Sequence, residues 1–435
     1  TTDHGSTALE APHLLRALGA DLIITDHHQL FENQRPDAVA VVNPAQQDCD
    51  YPFKELTATA VAYKLVGALD QDLESEHFFD TRGLCRTPPS YYLDLVALAT
   101  VADMGPLVGE NRALVSLGLE MINSNPRPGL AGLMRECMVR GPVTPSIISF
   151  KLAPKINALG RIGEPRLGVQ LLLSHSYTEA RRLARHMVNL NKQRQGIERR
   201  VYMGAMAQVE LTKDSAAYIL VGGNWHPGVL GSIAMRIAIQ TGKPTVVLTL
   251  ERDGQASGSA RSSTGYNILD KLQDCGSLLE RFGGHPCAAG LALKAEKLED
   301  FKRHIHAAIE DDADGIPDHA NKQLEIEAWI TAETFSSSFV EEICRLSPFG
   351  HGNPEPVVAV KGLALRNPSI FNQRHLRFHL PLPDGNTIDA YAWEHAEWQV
   401  EGEDRYDVAF MPQIYNGPDG IKHQVKVVDM KASRE

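Results

Sequence analysis

From Ser176 to about Val209 the chain holds one helical pattern with no proline inside it. Apolar residues recur at Leu183, Met187, Leu190, Ile197 and Val201. Arg181, Arg182, Arg185, Lys192, Arg194, Glu198, Arg199 and Arg200 fill the other faces. A helix of this length far exceeds the usual three or four turns, and it lacks the sustained heptad of a coiled coil. So charged a rod is best used to connect two folded bodies. The chain therefore divides into a block before the helix and further blocks after it.

The first block alternates helix and strand. Thr7 to Leu18 is helical in pattern, with Leu14, Leu15 and Leu18 on one face, and Gly19 ends it. Asp21-Leu22-Ile23-Ile24-Thr25 is a short β-branched strand, and Val39-Ala40-Val41-Val42 is a second, closed by Asn43-Pro44. Thr57 to Leu69 and Asn111 to Ile122 are helices. Tyr92 to Val101 is almost wholly apolar, ends at Ala102-Asp103, and reads as another buried strand end. This order is that of a parallel α/β sheet. After the long helix a smaller α/β block runs from Tyr218-Ile219-Leu220-Val221 through a helix at Val229 to Gln240 and a strand at Thr245 to Thr249, ending near Ile309. Glu310 to Ala320, acidic and broken by Gly315 and Pro317, reads as a linker. The tail has five short β-like runs, at Val357 to Val360, His375 to Leu380, Thr387 to Trp393, Asp407 to Met411 and Gln424 to Val428. Turns are expected at Pro383-Asp384-Gly385 and at 416–420, so a small barrel is expected. The expected segments are 1–175, 176–212, 213–310 and 321–435, in keeping with roughly three domains for 435 residues.

Composition narrows the function. Hydrophobic residues at 43% and charged residues at 22% exclude wholesale disorder. Lys and Arg number 43 against 54 Asp and Glu, a net charge of −11. That excludes a globally basic coat for nucleic acid but leaves room for a basic groove on an acidic body. No apolar run approaches the ~20 residues that span a bilayer, so no membrane partner is expected. Six cysteines without a CxxC pair read as free thiols in a reducing cytosol, and the expected location is cytoplasmic.

The chemistry begins at Asp26-His27-His28, directly after the strand Leu22 to Thr25. Ligands of open α/β sheets bind at the carboxyl ends of strands, and a carboxylate with two imidazoles suits a hard divalent cation such as Mn²⁺ or Mg²⁺. The triplet alone is better read as a surface turn. Asp3, at the head of the first helix, and Asp103, after its apolar run, tip the balance: three clustered carboxylates repel unless a cation holds them. Lys155, Asn157 and Arg161 in Ala153-Pro154-Lys155-Ile156-Asn157-Ala158-Leu159-Gly160-Arg161 suit phosphate, or else an ordinary Arg–carboxylate pair. Gly258-Ser259-Ala260-Arg261-Ser262-Ser263 has the parts of an anion nest, or is a polar loop. His285 in Gly283-Gly284-His285-Pro286 stands where a ligand could approach the backbone closely, or is a packed turn histidine. His226 in Trp225-His226-Pro227-Gly228 is open to the same two readings.

Taken together these residues resemble the RecJ-type single-strand-specific 5′→3′ DNA exonucleases of the DHH phosphoesterase superfamily. The anchors are Thr2-Asp3-His4-Gly5, Ile24-Thr25-Asp26-His27-His28, Ala99-Thr100-Val101-Ala102-Asp103, Asn157-Ala158-Leu159-Gly160-Arg161, Trp225-His226-Pro227-Gly228-Val229, Ser259-Ala260-Arg261-Ser262, Gly283-Gly284-His285 and Pro348-Phe349-Gly350-His351-Gly352-Asn353-Pro354-Glu355-Pro356. The last motif separates this group from shorter DHH phosphodiesterases that act on dinucleotides.

The resemblance implies a parallel-sheet DHH domain, a connecting helix, a DHH-associated domain and an OB-like barrel. It also implies a two-metal phosphodiesterase releasing 5′-mononucleotides in DNA repair and recombination. Asp3, Asp26, His27 and Asp103 would hold Mn²⁺ or Mg²⁺. His28 would ligate or touch the scissile phosphate, which Asn157 and Arg161 would hold. Lys155 would add charge to the same nucleic-acid contact. Ser259, Arg261 and Ser262 would clasp the terminal 5′-phosphate, and His285 would line the cleft. The barrel would grip single-stranded DNA through Trp393, Phe378, Tyr391 and Arg377, although aromatics in a small barrel are more often core. The partners implied are single-stranded DNA with a 5′ end, a helicase and a single-strand-binding protein. Two departures stand out. The family's earlier Asp-x-Asp motif has no counterpart, the chain opening on Thr1, so the chain taken alone is expected to be inactive. His4 stands where the family usually has Asn. Two other readings remain: a non-catalytic scaffold for single-stranded DNA, and a dinucleotide phosphodiesterase.

Overall fold

The proline-free stretch forms one helix, Tyr177–Leu211, of 35 residues in the computed structural model. The structure describes every residue except Leu9, 30–35, 214, 264, 313–322, 399, 401–404, 418–419 and 434–435. The expected linker at Glu310 to Ala320 and turn at 416–420 therefore lie partly outside the described residues. Two units are distinguished: Thr1–Ala153 with His175–Ala180 and Leu324–Glu435, and Pro154–Ser174 with Arg181–Gln323.

In the first unit Ile23–Thr25 pairs in parallel with Ala40–Val42, as the α/β reading requires. Thr2 adds a parallel bridge to Thr25 on the other side. Helix Glu10–Ala17 precedes this small sheet, but Leu14 and Leu18 of its expected apolar face are 64% and 72% exposed. Thr57 precedes helix Ala58–Ser75 in an extended conformation, and its hydroxyl meets Thr100 Oγ1 at 3.0 Å rather than a helix amide.

The clearest correction concerns the run ending at Asp103. It is a helix, Leu93–Ala102, not a strand. Seven of its ten residues are buried, so it is apolar on nearly every face and shows neither period. It packs against helix Gly109–Ser124, and Gly118 makes the approach close: a Cβ there would lie 2.2 Å from the Leu93 carbonyl oxygen. Leu56, Ala60, Val61, Val96 and Leu114 form the adjoining core.

Within the same unit the tail forms a single seven-stranded sheet. Its order is Arg366–Phe371, His375–Pro381, Thr387–Ala392, Gly420–Ala432, Arg405–Gly417, Val358–Ala364, Ala328–Ile330. Five strands match the expected runs; Ala328–Ile330, Arg366–Phe371 and helix Ser337–Cys344 were not anticipated. Side chains from strands along most of its width meet in one core around Val360, Phe378, Leu380, Val408, Phe410 and Val425, so the sheet curls as a barrel does.

The second unit has a five-stranded mixed sheet. Tyr218–Gly223 and Thr245–Leu250 are parallel; Gln255–Arg261, Ala288–Lys294 and Arg281–His285 continue it antiparallel. One face packs on the long helix and helix Pro227–Thr241 through Val201, Ala205, Leu230, Ile233 and Val247. The other packs on helix Leu298–Glu310 through Phe301, Ile305, Val246 and Leu293. Two expected loops are strands here. Gly258 to Arg261 lies within Gln255–Arg261, and Gly283-Gly284-His285 within the sheet-edge strand Arg281–His285. Runs of glycine, serine and alanine carry little strand propensity; their neighbours impose the pairing. Among the described residues no helix is long and apolar enough to cross a membrane.

Candidate metal centre and anion-binding face

Ligand atoms of Asp3, Asp26, His27 and His28 lie within 4.8 Å of one another. Asp103 joins them through His27, whose Nε2 lies 3.1 Å from Asp3 Oδ1 and 3.5 Å from Asp103 Oδ2. Three places in the fold deliver these groups. Asp26 and the histidines follow strand Ile23–Thr25. Asp3 lies beside that strand, its amide donating to the Thr25 carbonyl at 2.9 Å, with a left-handed φ of 60° that aspartate tolerates. Asp103 is the C-cap of helix Leu93–Ala102, where the negative end of the helix dipole also favours a cation.

Asp26 is 1% exposed and saturated with donors. The Ser6 amide donates to Oδ2 at 3.0 Å. The His27 amide and His28 Nδ1 approach Oδ1, each at 2.8 Å. Burial alone would raise its carboxyl; these hydrogen bonds win and hold it well below the usual carboxylate range. The hydrogen bond that His28 donates to Asp26 in turn raises His28, against the opposing effect of burial. Burial raises the Asp103 carboxyl; His27 opposes that and the Asp3 charge adds to it. Carboxylate oxygens and imidazole nitrogens in this number fit a divalent cation, which they bind in their deprotonated forms.

Two supporting residues escaped the sequence reading. Asn43, 2% exposed, donates to Ser6 Oγ at 3.0 Å and to the His28 carbonyl at 2.9 Å. Ser6 thus anchors both Asp26 and Asn43. The available signal was position: Asn43 ends the strand next to that of Asp26, but it reads in sequence as a strand terminator.

The second unit gathers cations elsewhere. Asn157 and Arg161 lie one turn apart on helix Ala153–Ile162, on one face, whereas half-buried Lys155 falls off that face. Arg161 donates to the Gly228 carbonyl at 3.1 Å. Arg261 lies over the same helix start: a Cβ on Gly231 would sit 2.9 Å from its Nη2 and 3.3 Å from Ser259 Oγ. Burial lowers the Arg261 guanidinium, and the like charge of Arg161 adds to it. Two guanidiniums thus meet the N-terminal turns of helix Pro227–Thr241, an arrangement suited to an anion. His226 caps that helix, its Nδ1 accepting from the Gly228 amide at 3.1 Å.

Ser262 requires a correction. It is 2% exposed and its hydroxyl donates to the Tyr266 carbonyl at 2.6 Å, so it is committed to holding the chain. The backbone amides expected to form a nest are instead paired in the sheet. His285 is exposed at the end of its strand. In the tail sheet Phe378 is fully buried and is core. Trp393 is 44% exposed; its ring stacks on Tyr391 at 5.9 Å and meets Phe371 edge-on at 5.6 Å, with Arg377 5.7 Å over Tyr391.

Comparison with known proteins gives three family matches: the DHH family N-terminal domain over residues 1–100, the DHHA1 domain over 213–311 and the RecJ OB domain over 326–429. The single-stranded-DNA-specific exonuclease RecJ of Salmonella typhimurium is 32% identical, over 95% of this chain and 74% of that protein. The protein of that name in Bacillus subtilis is 36% identical, over 84% of this chain but only 45% of its own length. The crystal structure of RecJ in complex with Mn²⁺ from Thermus thermophilus superposes with a TM-score of 0.79 at 28% identity, covering all of this chain and 62% of that one. The chain thus spans about half to three quarters of the length of these relatives.

Proposed function

The chain belongs to the RecJ family, and from that premise we propose that its site serves metal-dependent hydrolysis of single-stranded DNA from a 5′ end to 5′-mononucleotides, a reaction for which the family's Asp-x-Asp motif supplies further metal ligands, so that the chain taken alone binds the strand but turns it over little or not at all. The observation that carries this reading is the convergence of Asp3, Asp26, His27, His28 and Asp103. Mn²⁺ or Mg²⁺ bound there would polarise the scissile phosphate and lower the pKa of a bound water. Asp3, His27 and Asp103 offer their donor atoms to it. Asp26 contributes its charge and fixes His28 through Nδ1, leaving the Nε2 of that ring for the substrate. Asn157, Arg161, Ser259 and Arg261 bind phosphate groups of the strand, with His285 beside it. The Phe371, Tyr391 and Trp393 rings offer stacking for bases further along, a contact that tolerates any sequence. The cytoplasm is the setting, with a helicase and a single-strand-binding protein as suppliers of substrate.

The test is degradation of an end-labelled oligonucleotide in Mn²⁺. Release of 5′-mononucleotides from single strands but not duplex by a protein carrying the Asp-x-Asp motif ahead of this chain, lost in Asp103→Asn, supports the reading, and the same release by the chain alone overturns its expected inactivity. Strand binding without product in the extended protein, unchanged in Asp103→Asn, supports a binding scaffold instead. Preferential cleavage of dinucleotides would make the protein a small-substrate phosphodiesterase.

A further inference from the structure

The motif Pro348-Phe349-Gly350-His351-Gly352-Asn353-Pro354 has no part in the site described above, yet it is seated against that site's least secure ligand. Asp103 caps its helix and is followed at once by a tight left-handed turn. Met104 has φ 57°, its amide donates to Val101 and that of Gly105 to the Thr100 carbonyl at 2.9 Å. This is the helix-ending arrangement in which glycine usually takes the left-handed place. A methionine there holds the conformation at a cost, and such conformations persist only where the surroundings impose them. Only glycine fits at position 105, where a Cβ would lie 2.5 Å from Thr57 Cγ2.

The surroundings that impose it come from the tail, some 250 residues later in the chain. His351 Nδ1 lies 2.8 Å from the Met104 carbonyl oxygen. A carbonyl only accepts, so Nδ1 carries the proton. The Leu107 amide donates back to the His351 carbonyl at 2.6 Å, so the two loops are joined in both directions. Gly350 and Gly352 permit the contact. A Cβ on Gly350 would sit 2.8 Å from Leu107 Cδ1, and one on Gly352, whose φ is 75°, would sit 2.9 Å from Pro106 Cβ. Arg112 Nη2 donates to the Leu346 carbonyl at 2.6 Å, and Asn353 Nδ2 donates to the Leu346 and Pro348 carbonyls. Both loops belong to one unit.

We propose that His351 is a positioning residue for the metal centre: by fixing the Met104 carbonyl it sets the direction in which Asp103 presents its carboxylate. The proposal rests on Asp103 being a metal ligand. Groups hydrogen-bonded to a ligating side chain typically change metal affinity by 10–100-fold when removed, and a contact one residue away from the ligand is expected at the low end of that range.

The test is Mn²⁺ titration of the whole chain by calorimetry, with thermal unfolding of each metal-free protein alongside. Asp103→Asn is expected to weaken binding strongly. His351→Ala is expected to raise the Mn²⁺ Kd about tenfold. His351→Asn, whose amide can donate from nearly the place of Nδ1, is expected to stay within about twofold of the parent, while His351→Gln, with its donor one bond further out, behaves like alanine. A loss of melting temperature shared by all three His351 variants, with Mn²⁺ affinity unchanged, would mean a merely structural contact and overturn the proposal. Equal weakening by asparagine and glutamine would overturn it too, and that comparison stands even if the alanine variant fails to fold. If Asp103→Asn binds Mn²⁺ as the parent does, the reading of Asp103 itself falls, and the proposal with it.

Discussion

Asp26 and His28 stabilise one another, and their titrations give the pair a pH window. His28 is raised above its usual 6.5 by its bond to Asp26, so its contribution is fully present below about pH 6.5 and is lost as the pH climbs through the raised value. Asp26 is lowered, so its contribution is present above the usual 3.8 and is lost as the pH falls toward the folded value. Metal-free protein is expected to melt highest between these limits, and His28→Ala to remove the alkaline decline, read by circular dichroism in a chelator across pH 4–9. At Cys275 burial, aided by Asp274, pushes the thiol up to about 11. A thiol-specific reagent at about pH 8 is expected to label exposed Cys85 in the native protein and leave Cys275 unmodified until the chain unfolds, by mass spectrometry of the modified peptides. Phe378 and Trp393 separate structure from binding. Phe378→Ala is expected to cost about 3–5 kcal/mol of stability. Trp393→Ala is expected to leave stability nearly unchanged and weaken single-strand binding by about 1–3 kcal/mol. Denaturation and fluorescence titration read the two effects.

At the scale of elements, the site depends on how closely helices approach. Helix Leu93–Ala102 brings Asp103 to the cluster because Gly118 lets helix Gly109–Ser124 touch its backbone. Gly118→Ala is expected to destabilise the protein by about 1–3 kcal/mol through overpacking, seen as a lower urea midpoint. The helix itself was misread from sequence. Its side chains are buried on almost every side, so neither a period of 2 nor one of 3.6 survives in the pattern. The long helix was legible for the opposite reason: Tyr177–Leu211 keeps a charged face and an apolar one over many turns. In the strand Gln255–Arg261, small and polar residues gave no sign of pairing. The ladder formed with Thr245–Leu250 and Ala288–Lys294 took up the amides that a loop would have offered to an anion.

For the whole molecule, the metal reading has a thermodynamic consequence. A cation that binds the folded site but not the unfolded chain stabilises by mass action, about 2.7 kcal/mol at a hundred times its Kd. Mn²⁺ is expected to raise the melting temperature, a chelator to reverse the rise, and Asp26→Asn to abolish it. The long helix, most strands of the tail sheet and the grouping of Asp3 with Asp26, His27 and His28 were legible in the amino-acid sequence, because hydrophobic period, breakers and side-chain chemistry are local properties. Tertiary structure alone decided that Asp103 closes a helix rather than a strand, and that Ser262 is committed to a carbonyl while Ser259 is not. It alone brought Asn43 and Ser6 behind Asp26 and placed His351 on the turn beyond Asp103. Those outcomes depend on which backbone groups and side chains remain unpaired once distant segments have packed, and packing joins residues that no spacing along the chain relates.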